Sequence, residues 1–326
     1  MLKRGIGSSL AFILASVMLI SGCFALGSSA SSGNGIKLSP LRYDLTIYPG
    51  KSQTVVFNVE NVTKNPATYT AILTDFLANN QNGTPQLIVT GSKFDPFSIK
   101  QFVPKIPNFT VAPGQTKPVS IKISIPAGTA GGGYFGAIRF LAVNPETGKT
   151  VNVSASVAGL ILISVPGPGM HPSLLLSGFS VGTDGKSQRL FYSNNGIEAL
   201  VRFDNNGNVQ IPPYGKIIVQ NSSGKTIETK SVNNGNPPGN VLPDSYRTFS
   251  VPLSNIGSFG KYTVTGSFGY GNNGKLLSAS VIFYVVAPWI IILAIVIIVL
   301  ILTVIFFMPR LFRAWYKRSI RKVQVK

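Results

Sequence analysis

Val119-Ser120-Ile121-Lys122-Ile123-Ser124-Ile125 decides the fold class of this chain. Every second residue is aliphatic and β-branched, and the residues between are polar. An extended backbone places all four apolar side chains on one face, whereas a helix would scatter them around its axis. The stretches 54–59 and 261–265 read similarly. Turn chemistry separates such segments, at Pro49-Gly50, Asn82-Gly83, Pro113-Gly114, Asn195-Gly196, Asn206-Gly207 and Asn272-Asn273-Gly274. Short alternating strands at this spacing, with no helical period among them, predict an all-β protein built from sandwiches.

Length divides the strands into two sandwiches of a little over a hundred residues each. The apolar stretch 157–165 reads as a closing strand, and Pro166-Gly167-Pro168-Gly169-Met170-His171-Pro172 follows as a stiff linker. The first domain is therefore expected at 36–166, the linker at 167–171 and the second domain at 172–284. A Ser/Gly tether, 24–35, precedes them. Within the first domain Tyr48-Pro49-Gly50 is echoed by Ala112-Pro113-Gly114, each leading into an alternating strand, and Val241-Leu242-Pro243 does comparable work in the second.

Residues 285–308 form an uncharged apolar run long enough to cross a bilayer as a helix. The tail 309–326 holds seven Lys or Arg and no acid, which predicts a cytoplasmic tail, an ectodomain outside and a single pass through the cytoplasmic membrane. Trp289 and Trp315-Tyr316 suit the two headgroup layers. At the other terminus Lys3 and Arg4 precede the apolar segment 10–20, a signal peptide over 1–23. Two processing routes fit. Ile20-Ser21-Gly22-Cys23 has the form of a lipobox, with Cys23 as the lipidation site; ordinary cleavage after Gly27 or at Ser28-Ser29-Ala30 fits as well.

Cys23 is the single cysteine, so the exported part has no disulfide, which points to a bacterial envelope protein rather than a eukaryotic ectodomain. Of the twenty-nine basic residues, seven lie in the tail and two in the signal, leaving twenty basic and ten acidic residues and a net charge of +10 on the ectodomain. That balance favours anionic neighbours such as lipid headgroups or anionic wall polymers. The basic residues are scattered singly, and no nucleic acid is expected as a partner.

Catalytic apparatus is not expected. The one histidine, His171, stands in the linker, and no thiol nucleophile remains beyond Cys23. Histidine and cysteine counts exclude a zinc site of those ligands, and the acids lack calcium-loop spacing. No cofactor is expected, and nothing marks individual ligand-contact residues. Gly131-Gly132-Gly133-Tyr134-Phe135-Gly136 precedes no helix, so it reads as a bulge or tight turn rather than a phosphate loop, with Tyr134, Ile138 and Phe140 opening the next strand.

Several of these residues carry a family resemblance. Leu38-Ser39-Pro40-Leu41-Arg42-Tyr43-Asp44-Leu45, Pro49-Gly50, Phe57-Asn58-Val59-Glu60-Asn61, Asp75-Phe76, Pro113-Gly114 and Gly133-Tyr134-Phe135-Gly136 resemble, in order, the N-terminal domain of the WxL-interacting proteins of bacterial cell surfaces. Phe203, Asn205, Gly207-Asn208-Val209 and Leu242-Pro243 continue the likeness more loosely. The resemblance implies two tandem immunoglobulin-like sandwiches related to pilus chaperones. It also implies peptidoglycan binding by the first domain and host or partner binding by the second, and it nominates WxL-type surface proteins as partners of the protein. The expectation is a non-enzymatic, membrane-anchored surface protein that binds wall glycan or other envelope components. The alternative is a chaperone-like scaffold that holds exported proteins by edge-strand addition.

Overall fold

The alternating stretch forms β8 (Thr116–Ser124), whose Val119, Ile121 and Ile123 are buried while Lys117, Lys122 and the serines face solvent. The computed structural model describes residues 35–78, 82–88, 96–143, 156–271 and 276–323. The signal segment, Cys23 and most of the tether lie outside them.

The first sandwich comprises β1 (Ile36–Ser39), β2 (Arg42–Thr46), β3 (Ser52–Asn61), β4 (Ala67–Thr74), the hairpin strands β5 (Phe76–Ala78) and β6 (Pro85–Leu87), β7 (Phe109–Val111), β8, β9 (Gly132–Val143) and β10 (Ser156–Val165). One sheet runs β1-β3-β8 and the facing sheet β2-β10-β9-β4-β7. The second sandwich comprises β11 (Leu174–Thr183), β12 (Lys186–Ser187), β13 (Leu190–Phe191), β14 (Glu198–Asn205), β15 (Tyr214–Gln220), β16 (Thr226–Val232), β17 (Ser245–Pro252), β18 (Phe259–Gly269) and β19 (Leu277–Val286). Its sheets run β12-β11-β14-β17 and β13-β19-β18-β15-β16.

Apart from the β5–β6 hairpin and the short β12, the two connectivities correspond. In each, the second and fifth long strands pair in one sheet, the third, sixth and seventh in the other. A short strand near the start crosses over to pair parallel with the last: β2 with β10, and β13 with β19. This is the immunoglobulin-like arrangement, repeated.

Packing follows from the alternation. Phe57 is fully buried against Tyr43 and Phe140, at ring-centroid separations of 5.1 and 5.9 Å. It lies over Gly159, where an added Cβ would stand 2.2 Å from the ring, so glycine is what lets the two sheets close there. In the second core Phe203 and Phe268 meet edge-on at 5.4 Å.

The same buried asparagine device closes both sandwiches. Asn61 ends β3; its amide donates to Asn65 O (2.8 Å) and Val111 O (3.0 Å), and its Oδ1 accepts from Thr63 N–H. Asn205 ends β14; its amide donates to Val209 O and Val241 O, both 2.8 Å, and its Oδ1 accepts from Gly207 N–H. Each ties a turn to the segment that leads into the partner strand, which is the physical content of the repeated Pro-containing strand entries.

The last strand runs almost directly into α1 (Pro288–Val323), with Ala287 between. Residues 288–310 are apolar enough to span, with a mean hydropathy of 3.7 over their most apolar 18 residues, and at 1.5 Å per residue their 23 residues reach about 34 Å. The expected start at 285 is corrected: Val285 and Val286 complete β19, where Val285 pairs with Gly260 and Val286 with Phe259. The helix also continues through Pro309 to Val323, so the basic tail extends it rather than ending it at 308.

Candidate functional site

The site is the seam between the sandwiches, formed on the outer face of the five-stranded sheet of the first domain. Register fixes which residues stand there. Arg42 is opposite Leu160, and Leu160 is opposite Ala137; Arg139 is opposite Ala158. Directly opposed residues share a face, so Arg42, Arg139, Phe135, Ala137, Leu160 and Leu162 all point away from the sandwich core. An outer face this apolar needs a cover. The second domain supplies Leu242, which joins Phe76, Phe135, Ala137 and Leu162 in a buried cluster.

Asn208 is the hub of the contact. Its backbone carbonyl accepts from Gly133 N–H at 2.6 Å, its amide donates to Gly131 O (3.2 Å) and Gly169 O (2.7 Å), and its Oδ1 accepts from His171 N–H (2.7 Å). Gly131 N–H donates to Pro168 O, and Gln210 Nε2 to Ser164 Oγ (3.1 Å). One asparagine therefore ties the linker to both domains.

This corrects the reading of the glycine run. Gly132 and Gly133 lie within β9, and their role is close approach. A Cβ on Gly131 would stand 2.5 Å from Gly167 O, and one on Gly133 2.4 Å from Gln210 Oε1 and 3.0 Å from Val209 Cα. His171 sits in the linker as expected and contributes its backbone N–H to the seam.

Two recesses open along the seam. One, of about 280 Å³, is lined by Phe76, Leu77, Phe97, Phe135, Leu242 and Ser245. Beside it lies a polar knot in which Asp75 and Ser98 are buried: Ser98 Oγ donates to Asp75 Oδ1 and the half-exposed Lys100 Nζ to Asp75 Oδ2, both at 2.5 Å. The knot fixes the chain beside Phe97, which stacks on Phe135 at 6.2 Å and 8°. The other recess, of about 300 Å³, is lined by Arg42, Asp44, Thr46, Gln210, Pro238 and Asn240.

The seam is basic. Arg42 pairs with Asp44 at 2.6 Å, and Asn240 Nδ2 donates to the same carboxylate at 2.9 Å. Arg247 on β17 donates from Nη1 to Asn240 O and lies over the Phe249 ring at 4.9 Å. Burial and the neighbouring Arg42 guanidinium both lower its pKa from the ordinary arginine value. The buried Nε atoms of Arg42, Arg139 and Arg247 have no hydrogen-bond partner among the described residues. Chemically, this is a place that favours a carboxylate or another anion.

Sheet edges complete the geometry. β8 is blunted: Pro118 removes a donor, Lys117 and Lys122 flank it, and Ser124 N–H is taken by Phe102 O. The edge strand β16 is crossed by the loop at Ser254 and Asn255, whose N–H groups bond the Glu228 carboxylate. β17 differs. It pairs with β14 over eight residues on one side, and among the described residues no backbone hydrogen bond reaches its other side. Its first residue, Ser245, lines the apolar recess.

Sequence reasoning did not assign these residues to a site. Arg42 and Asp44 lay inside the quoted motif, but their partnership with Asn240 and Arg247 requires a register and a domain contact that no local pattern encodes.

No protein-family model matches this sequence, and no curated protein does. Solved structures do. The chain is similar to the class 5 fimbriae chaperone CfaA, with 15% identity over 77% of this chain and 99% of that one and a TM-score of 0.37. It is similar to the E. coli chaperone DraB, with 13% identity over 75% and 96% and a TM-score of 0.33. It is also similar to a chain of the CsuC–CsuE chaperone–tip adhesion subunit complex of Acinetobacter baumannii, with 12% identity over 74% and 97% and a TM-score of 0.34.

Proposed function

We propose that this chain is a membrane-anchored, non-enzymatic scaffold that holds an extended segment of another exported polypeptide at the cell surface. The observation that carries the reading is β17, an eight-residue edge unpaired on one side among the described residues, which has the turn at Asn82 and Gly83 beside it and begins at the mouth of an apolar recess. An added strand would take its main-chain bonds from that edge and seat alternate side chains in the recess, the geometry of strand addition. The arginines of the seam would accept an acidic side chain or a terminal carboxylate of the same segment. A WxL-type surface protein, nominated by the sequence resemblance, is the first partner to test.

The anchor is α1, with the basic tail on the cytoplasmic side. Chemical crosslinking in intact cells, followed by isolation of the full-length protein and mass spectrometry, tests the function. Discrete exported proteins support it; wall fragments alone oppose it.

A second reading, binding of wall glycan, is favoured by a polar recess of about 530 Å³ on the outer face of β14 and β17, lined in part by Glu198, Arg202, Tyr246 and Thr248. Retention of the detergent-solubilised protein on insoluble peptidoglycan at low salt would support it. Retention no greater than that of a neutral control sandwich would remove it.

A further inference from the structure

The membrane-proximal end of the second sandwich has an unusual surface. Three strands stop there together: Phe191 pairs with Val285 and Leu190 with Tyr284, while Phe259 pairs with Val286. The join to the helix is fixed, because Ala287 N–H donates to Ser258 O (2.9 Å) and Ile290 N–H to Ala287 O (3.0 Å), and Ala287 is buried. No flexible linker separates the domain from the span.

Around that join, large apolar side chains face outward: Phe259 is 65% exposed, Trp289 60%, Tyr192 57% and Leu190 45%. The loop carrying Phe259 is braced. Tyr262 Oη accepts from Gly257 N–H (2.9 Å), and Asn194 Nδ2 donates to Ile256 O (2.8 Å). Tyr262 stacks on Phe283, which meets Phe191 edge-on at 5.4 Å. Several large apolar side chains held together at one end of a domain form a patch of the kind that marks a protein or membrane contact. The segments 188–194, 254–262 and 283–289 contain Arg189 and Lys261 and no acid. The nearest carboxylate, Glu228, is buried against the Ser254 and Asn255 N–H groups and paired with Lys230.

Height follows from the pairing. Phe259 stands level with Val286, two residues above Pro288, or about 7 Å at 3.3 Å per residue. A headgroup layer is about 5–7 Å thick on each side of the hydrocarbon. We propose that this end of the second sandwich is a lipid-contacting surface, with Phe259, Tyr192 and Trp289 in the headgroup layer of the membrane that α1 crosses, and Arg189 and Lys261 on anionic lipid phosphates. The proposal rests on α1 spanning that membrane. Aromatic rings at the boundary and basic side chains reaching toward phosphate are what such a layer accommodates best.

The test uses the full chain with Cys23→Ser, reconstituted in vesicles of phosphatidylcholine mixed with phosphatidylglycerol. Single cysteines replace Phe259, Ile297 or Tyr48 in turn and carry a nitroxide label. Collision with oxygen and with a water-soluble nickel complex reports depth. A label at 297 should be shielded from nickel, one at 48 fully accessible, and one at 259 several-fold less accessible to nickel than 48. If 259 matches 48 while 297 is shielded, the lipid surface is wrong and the span stands. If 297 is itself open to nickel, the span and the surface both fail. Replacing Arg189 and Lys261 with glutamate should raise nickel collision at 259 in the mixed vesicles and leave it unchanged in phosphatidylcholine alone. Equal values in both lipids would overturn the role of the two cations.

Discussion

Gly133→Ala places one methyl group in the seam. The added Cβ would stand 2.4 Å from Gln210 Oε1 and 3.0 Å from Val209 Cα. Gln210 cannot swing freely away, since its Nε2 is held by Ser164 Oγ at 3.1 Å. Normal contacts need about 3.5–4 Å, so relieving both contacts takes a displacement of roughly one to one and a half ångströms. Overpacking of this kind costs about 1–3 kcal/mol. The shift also stretches the bond from residue 133 N–H to Asn208 O, now 2.6 Å, whose loss costs about 1 kcal/mol more. Together these weaken the seam by about 2–4 kcal/mol, which opens it roughly thirty- to several-hundred-fold more often. Hydrogen exchange reads this directly. The seam amides of residues 131 and 133 should exchange faster by that factor. The amides of Ser124 and Tyr284, bonded within their own domains, should not change. Gly128→Ala is the control, because nothing lies within 4 Å of its Cβ position. Unchanged exchange at the seam, or equal loss of protection in the first core, would refute the account of the contact.

The buried asparagines give a paired prediction. Asn61→Ala and Asn205→Ala each remove two donors and one acceptor; Asn65 O keeps Thr63 Oγ1 and Val241 O keeps Ile211 N–H, so each substitution should cost about 2–4 kcal/mol by denaturant unfolding, the first in one domain and the second in the other. Glu228 carries a pH dependence. Burial alone pushes its pKa up, but the Ser254 and Asn255 N–H groups and Lys230 bring it below the ordinary value. Its stabilising contribution is therefore present above about pH 4 and lost as pH falls through its lowered pKa, and Glu228→Gln should flatten that acid limb of a stability–pH curve. Truncation before Pro288 should release the ectodomain from membranes if the signal is cleaved by the ordinary peptidase. If Cys23 is acylated, the truncated protein should stay weakly tethered, since one acyl chain gives only marginal binding, and Cys23→Ser should complete the release.

Alternation made the sandwiches legible, because a period of two fixes which face is buried even without a partner strand in view. Pro166, Pro168 and Pro172 lack the N–H donors that a sheet ladder needs, which marks the break between the two series of strands. The start of α1 was misplaced since Val285 and Val286 are apolar in both roles; hydropathy alone does not separate a buried strand end from a helix beginning. Gly131–Gly133 was read as turn chemistry because close approach by a distant backbone leaves no local mark. The arginines of the seam were hidden for a related reason: Arg42 and Arg139 meet one face only through pairing with β10, and Arg247 arrives from the other domain.

The central claim, that the seam and the β17 edge hold another exported chain, is tested most directly by site-resolved photocrosslinking in living cells. A photoreactive residue replaces Leu77 or Ser250, beside the apolar recess and on the open edge, or Ser223 on a turn remote from both. The account predicts discrete crosslinked bands from 77 and 250, containing the same exported protein, and none from 223. Equal labelling from all three positions, or crosslinks at the edge to wall glycan alone, would contradict it.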